Sequence, residues 1–439
     1  MAKEQKADFS CQTNSKSGSV VDAPCKPKCK VTYQFVFRDN LSLPYAVAID
    51  GKVHSAFQAR PKRTDGKITL SVDAGQTIQL YLNSDAHPDY RQQPVYKVVV
   101  EESDVEIVIT ETAGKHADKD TPVLAKTTRD EATGRTTQHM KALLTGDIWM
   151  KVSHRYSSGE VDSLVPADSC PEVIAAVKSI YAGLSSATLS IQKPENGAQS
   201  ECSLTVKFID SDNPKANITK YALLSDGLPR AHPGGYAALF NAALAHGIES
   251  LQVTSCWRPM LGSIAHRAGL GLDVGYVGAT KMNRQELRWG KAKDTSNVSD
   301  EEVKRFKEYE AAMGAEKTAD TAQMAAKKAF IKPGLSAEDK LIAQQRLRAA
   351  NDQQMEASKA KRAAKNCWDQ ERDACEPAAV KFFRTSLLRC NCVAQLFDPW
   401  YMDGNAKDGQ EAEPNMQVSK NEKLHAHHLH VTVYEPKIL

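Results

Sequence analysis

The chain has 439 residues, enough for roughly two or three domains that each bury a core. It is 41% hydrophobic and 25% charged, and its sequence holds no apolar run approaching the length of a membrane span. A net charge of +3 gives no electrostatic case for nucleic acid or an anionic membrane as the main partner.

Residues 1–28 are polar and small and read as a flexible N-terminus. The stretch MAKEQKADFSCQTNSKSG lacks the apolar core and small-residue cleavage pattern of a secretory signal. From Lys30 the pattern turns to period two, with Val31, Tyr33, Phe35 and Phe37 on one face. Tyr45, Val47 and Ile49 repeat it, and Asp50-Gly51 supplies a tight hairpin turn before Val53. Ile68–Val72, Thr77–Leu82, Val95–Val100 and Val105–Ile109 follow at the short spacing of an all-β sandwich. Residues 29–112 are therefore expected to form a sandwich-like binding or targeting domain. The segment FRDNLSLPYAVAIDGKVH resembles the small β-domains that precede toxic domains in bacterial type VI secretion effectors. Residues 113–145 are rich in Lys, Asp and Thr and read as a linker.

A second domain, 146–439, mixes helix and strand. Pro171–Leu184 has helical spacing, and Leu204–Ile209 reads as a strand. Gly235–His246 reads as a helix stopped by Gly247, and Leu251–Thr254 as a strand leading through Ser255-Cys-Trp-Arg258-Pro259 towards His266. Residues 283–366 differ in character: a capping box Ser299-x-x-Glu302 precedes Val303, Phe306, Tyr309 and Met313 at helical spacing. Pro333-Gly334 breaks the run and Ser336 opens a second helix, so a charged helical hairpin is expected as an insertion. It reads either as a solvated structural element or as a partner-binding arm or lid. Beyond it, Val380–Leu388 is a helix, Leu396–Tyr401 an aromatic loop and His428–Tyr434 the terminal strand.

Two stretches carry chemistry. SIAHRAGLGLDVGY holds His266 and Asp273 with Gly269 and Gly271 between them, and LHAHHLHVTVY places four of the twelve histidines within six residues. Two imidazoles and a carboxylate suit a catalytic zinc site, which uses three protein ligands and keeps a fourth position for water. The glycines let the chain turn so that Asp273 faces the same ion as His266. His428 and His430, two apart on a strand, point to one side, so one can bind metal while the other handles a proton. Taken alone, HAHHLH could be a metal-scavenging tract or an exposed polar run.

Ser255-x-x-Arg258, His266-x-x-Gly269-x-Gly271-x-Asp273 and a late His-x-His are similar to the LAS-type zinc peptidases that cleave peptidoglycan. That group includes D,D-carboxypeptidases, D-Ala-D-Ala dipeptidases, MepA-type murein endopeptidases and phage endolysins, and the resemblance covers roughly residues 150–280 and 376–439. It implies an α+β peptidase domain with zinc on His266, Asp273 and His430. Arg258 would grip substrate or polarise the scissile carbonyl, with Ser255 beside it. Carboxypeptidase members carry Glu where His427 stands here. His425-x-x-His428-x-His430 instead matches the murein endopeptidase pattern, which implies His428 as base or water-holder and His425 as its assistant. Trp400 and Tyr401 could line a substrate groove or pack in the core. Gly271 replaces the family's alanine.

The resulting expectation is a D,D-endopeptidase of peptidoglycan, made in the cytoplasm without a signal peptide and acting in a target cell's periplasm as a secreted antibacterial effector. A secretion-apparatus component and a cognate immunity protein would then be partners. A phage lytic or tail-associated enzyme, a D,D-carboxypeptidase, an L-Ala-D-Glu endopeptidase and a non-catalytic zinc-containing binding protein are the other readings. Ten cysteines exceed ordinary cytosolic usage, either as disulfides formed after delivery or as buried free thiols.

Overall fold

A computed structural model describes residues 26–36, 45–53, 67–82, 94–111, 122–193, 202–209, 221–259, 264–289, 297–400 and 425–434. The fold is mixed α/β with several sheets. The first part holds β1 (Lys28–Val36), β2 (Tyr45–Ile49), β3 (Lys52–Val53), β4 (Lys67–Asp73), β5 (Thr77–Leu82), β6 (Tyr96–Val99) and β7 (Asp104–Glu111). Two further strands follow, β8 (Val123–Arg129) and β9 (Thr136–Leu144). One sheet runs β4-β1-β7-β9-β8 and the other β3-β2-β5-β6. Period-two patterning builds them: Cys29, Val31 and Tyr33 of β1 are buried while Lys28, Lys30 and Thr32 are not. Val31, Tyr33 and Ile107 from one sheet share a core with Val47, Ile78 and Leu80 from the other. Phe37 of the expected apolar face lies outside the described residues.

The expected linker, 113–145, is corrected. Within it β8 and β9 pair with each other, and β9 runs parallel to β7 from Asp104↔Thr137 to Glu111↔Leu144. Hydropathy conceals both strands. All of β8 is exposed, and β9 buries only Ala142 and Leu144, so backbone pairing rather than an apolar face defines them. The charged, exposed β8 closes an edge that would otherwise offer unpaired backbone groups.

The remaining elements are α1 (Gly146–Val152), α2 (Val161–Leu164), α3 (Pro171–Ala182), β10 (Thr188–Lys193), β11 (Cys202–Phe208), α4 (Pro233–Ala245) and β12 (Ser250–Ser255). After them come α5 (Ile264–Arg267), β13 (Gly271–Val277), β14 (Thr280–Lys281), α6 (Gln285–Trp289), α7 (Asp300–Phe330), α8 (Ala337–Cys375), α9 (Ala378–Arg389), β15 (Val393–Phe397) and β16 (Leu429–Val433). The sheet order is β10-β11-β12-β13-β16-β15, with β14 beside β13. The C-terminal strand thus lies between β13 and β15, which sets Asp273 opposite His430 in register. Helix α4 packs against this sheet and is buried along nearly all its length. The two parts of the chain are not insulated at residue 146: Ile148, Trp149, Tyr221 and Trp257 join the core of the N-terminal sheets.

The helical hairpin forms as expected, but α8 continues to Cys375 rather than ending near 366. Ser299 and Ser336 cap the two helices through the N–H groups of Glu302 and Asp339. At 31 residues, α7 is about 46 Å long. Apolar packing concentrates at its root, where Leu287, Phe306, Tyr309 and Trp368 cluster. There the Arg284 guanidinium pairs with the fully buried Glu302 carboxylate, and Trp368 Nε1 donates to the same oxygen. Arg284 N–H also donates to Ala426 O at 2.7 Å, tying the root of the hairpin to the histidine turn. Among the described residues no helix is long and apolar enough to cross a membrane. Glu302→Ala is expected to lower unfolding free energy by about 3–5 kcal/mol, because it strands a buried guanidinium; chemical denaturation measures it.

Candidate metal centre

Three backbone devices bring the centre together. His266 sits on the one-turn helix α5, and the chain reverses at Gly269, whose φ is +73°. A side chain there would meet Arg230 O at 2.1 Å, so both the backbone angle and the space require glycine. Asp273 then enters β13 and His430 faces it from β16. At Gly271 a Cβ would lie 3.0 Å from His430 Cε1, so even a methyl group is tight at this position.

Each imidazole is fixed by a hydrogen bond on its far side. His266 Nδ1–H donates to Cys256 O at 2.6 Å, which turns Nε2 towards Asp273 Oδ1 at 3.2 Å. His430 Nε2 lies 2.9 Å from Thr432 Oγ1, and its Nδ1 is 2.7 Å from the same carboxylate oxygen. His266 Nε2 is buried and makes no hydrogen bond. Burial, with Arg258 next, pushes the His266 imidazole down to about 4, so it is neutral at neutral pH. Its lone pair therefore faces a carboxylate oxygen with no proton between them. Burial works to raise the Asp273 carboxyl, but His266 and His428 outweigh it and hold it well below the ordinary value. Without a metal, His430 Nδ1–H can donate to Asp273. With one, the lone pairs of His266 Nε2 and His430 Nδ1 and the carboxylate oxygen supply three ligand atoms, all within 4.8 Å of one another. The donor set fits a divalent metal, and a cation there resolves the opposed acceptors at His266.

A second group surrounds the first. His425, His428 and His430 also place a nitrogen each within 4.8 Å of one another. His428 Nε2 is 3.2 Å from Asp273 Oδ1 and makes no hydrogen bond. The His425 ring stacks on Phe397 at 4.5 Å and stands 5.2 Å from the His428 ring. His427 is exposed in the turn before β16, so strand alternation does not set its direction, and its ring meets His428 edge-on at 4.3 Å. Arg258 Nη2 lies 3.8 Å from Asp273 Oδ2 and remains partly exposed, so it can face both the centre and an incoming ligand. Ser255 ends β12 in register with Asp273.

The aromatic loop is corrected in part. Trp400 is only 1% exposed, packs in the main core and carries the Arg284 guanidinium over its ring at 4.5 Å, so it cannot line an open groove. Tyr401 lies outside the described residues. Cys256 is fully buried and its thiol is pushed up to about 12, which removes it as a nucleophile. Trp257 anchors the Arg258 loop: its ring joins the N-terminal core, its Nε1–H donates to Arg267 O at 3.0 Å, and Arg230 lies over it at 4.8 Å.

No family model, no curated protein and no solved structure matches the chain. The site therefore stands on its geometry. Sequence reasoning passed over Thr432, Phe397 and the Cys256 carbonyl. Thr432 alone had a visible signal, two residues after His430 on the same strand face. Thr432→Val is expected to weaken Zn2+ binding about 10- to 100-fold by freeing the His430 ring, measured by competition with a chromophoric chelator. Gly269→Ala should cost ~3 kcal/mol or more, visible as a lowered melting temperature.

Proposed function

We propose that this chain is a zinc-dependent peptidoglycan peptidase that hydrolyses an amide in the stem peptides or cross-links, with D,D-endopeptidase activity favoured. The observation that carries the reading is the convergence of His266, Asp273 and His430, with His428 and Arg258 also facing Asp273. A zinc ion bound there would act as a Lewis acid, lowering the pKa of water towards ~7 and polarising a carbonyl.

The chain's own residues then divide the work. His266, Asp273 and His430 hold the ion. Arg258 grips the carbonyl oxygen and stabilises the charge that grows on it. His428 takes the proton from the attacking water and delivers it to the leaving amine. His425, held against Phe397, lies beside His428 to steady that transfer. The spacing His425-x-x-His428-x-His430, with the exposed His427 where carboxypeptidase-type members carry glutamate, favours the endopeptidase branch of the LAS-type group.

The finer architecture belongs to the same proposal: an N-terminal sandwich-like targeting module on a LAS-type α+β peptidase domain, with the hairpin as an insertion. Two sheets sharing one core support the module. The biological setting we propose is a type VI effector, made in the cytoplasm and acting in a target cell's periplasm, with a secretion-apparatus component and an immunity protein as partners.

Purified zinc-loaded protein with defined cross-linked muropeptides, read by mass spectrometry, tests activity and bond choice together. New amine termini at the cross-link are expected, and a His428→Ala variant should retain zinc while losing about 10²–10⁴ in rate. Absence of cleavage with zinc bound would leave the non-catalytic binding protein as the reading.

A further inference from the structure

Away from the metal ligands, Cys390 and Cys392 flank the exposed Asn391 at the junction of α9 and β15. Hydrogen bonds fix the backbone of this junction. Cys390 N–H donates to Ser386 O and Leu387 O at 3.1 Å each, Val393 N–H to Cys390 O at 3.1 Å, and Tyr434 N–H to Cys392 O at 2.9 Å. The turn brings both thiols to one side, with Sγ–Sγ at 3.1 Å and Cys392 Sγ 3.5 Å from Gly234 O. Both residues are half-buried, so a small reagent can reach them. Cys392 also packs against Ala268, Leu270 and Val433, behind the loop that joins His266 to Asp273.

We propose that Cys390 and Cys392 form a redox-active dithiol that closes to an intramolecular disulfide by exchange with a low-molecular-weight disulfide. The thiols already stand about 1 Å from the ~2.05 Å bonding distance, in a turn held at both ends. Within the pair, hydrogen bonding from Cys392 pulls the Cys390 thiol down to about 6 against the effect of burial, whereas burial pushes Cys29 and Cys375 up. Cys390 thiolate attacks one sulfur of the small disulfide, whose S–S bond breaks to release one thiol and leave a mixed disulfide. Cys392 then loses its proton to solvent and its sulfur attacks Cys390 Sγ, expelling the second thiol. Two protein thiols are oxidised and one small disulfide is reduced to two thiols.

A ring spanning only three residues is strained and so remains reducible, open in a reducing compartment and closed in an oxidising one. The pair thus marks transfer between such compartments, at the back of the metal centre. It holds whether or not that centre hydrolyses peptides.

The test uses the full chain, reduced and then incubated with oxidised glutathione, trapped with an alkylating reagent and digested with trypsin. Cleavage after Arg389 and Lys407 releases both thiols on one peptide. That peptide is expected to lose two hydrogens and take no label, and a Cys392→Ser chain should instead keep a glutathione adduct on Cys390. Full alkylation of both residues, stable glutathione on both, or a crosslink to the peptide carrying Cys170 would each overturn the proposal. The wild-type measurement decides it even if the variant does not fold.

Discussion

Asp273 is a charge held inside the protein, and a buried charge must be paired or neutralised. At 3% exposure it could not stay ionised on its own. His266, His428 and His430 each place a ring nitrogen within 3.2 Å of its Oδ1, and Arg258 stands at 3.8 Å from Oδ2. Those residues come from α5, the turn before β16, β16 itself and the loop after β12. The order of the central sheet is what makes this possible, since β16 inserts between β13 and β15. The grouping could hold a metal ion: two of the three nitrogens around Oδ1 belong to rings whose other nitrogen is already engaged, His266 with Cys256 O and His430 with Thr432 Oγ1.

Support for this centre extends well beyond its ligands. Trp257 roots the Arg258 loop in the core of the N-terminal sheets, and Arg284 couples the hairpin root to the turn carrying His425 and His428. Buried charge recurs at that root: Arg384 bonds both Glu376 and Asp398, and burial raises the Asp398 carboxyl to about 6. Phe397, the residue before Asp398, stacks on His425. A change in the hairpin's seating would therefore reach the histidine cluster through two contacts, Arg284 to Ala426 and Phe397 to His425.

Local spacing made much of this legible. The interval from His266 to Asp273 and the two-residue step from His428 to His430 pointed to residues that do converge, because a glycine-bearing turn and a terminal strand follow from the residues themselves. The helical hairpin was legible through its serine caps and its Phe306, Tyr309 face. Strands β8 and β9 were not, because they bury almost nothing and exist by backbone pairing with β7. Trp400 could not be placed either: an aromatic in a loop reads the same whether it faces a groove or a guanidinium in the core. Its burial against Arg284 depends on contacts more than a hundred residues apart, which no local pattern encodes.

Anomalous diffraction at the zinc edge, from crystals of the full chain grown with Zn2+, tests the central claim most directly. The expected result is one strong peak bonded by His266 Nε2, the Asp273 carboxylate and His430 Nδ1. A peak held by His425 and His428 without His266, or no peak at Asp273, would contradict it.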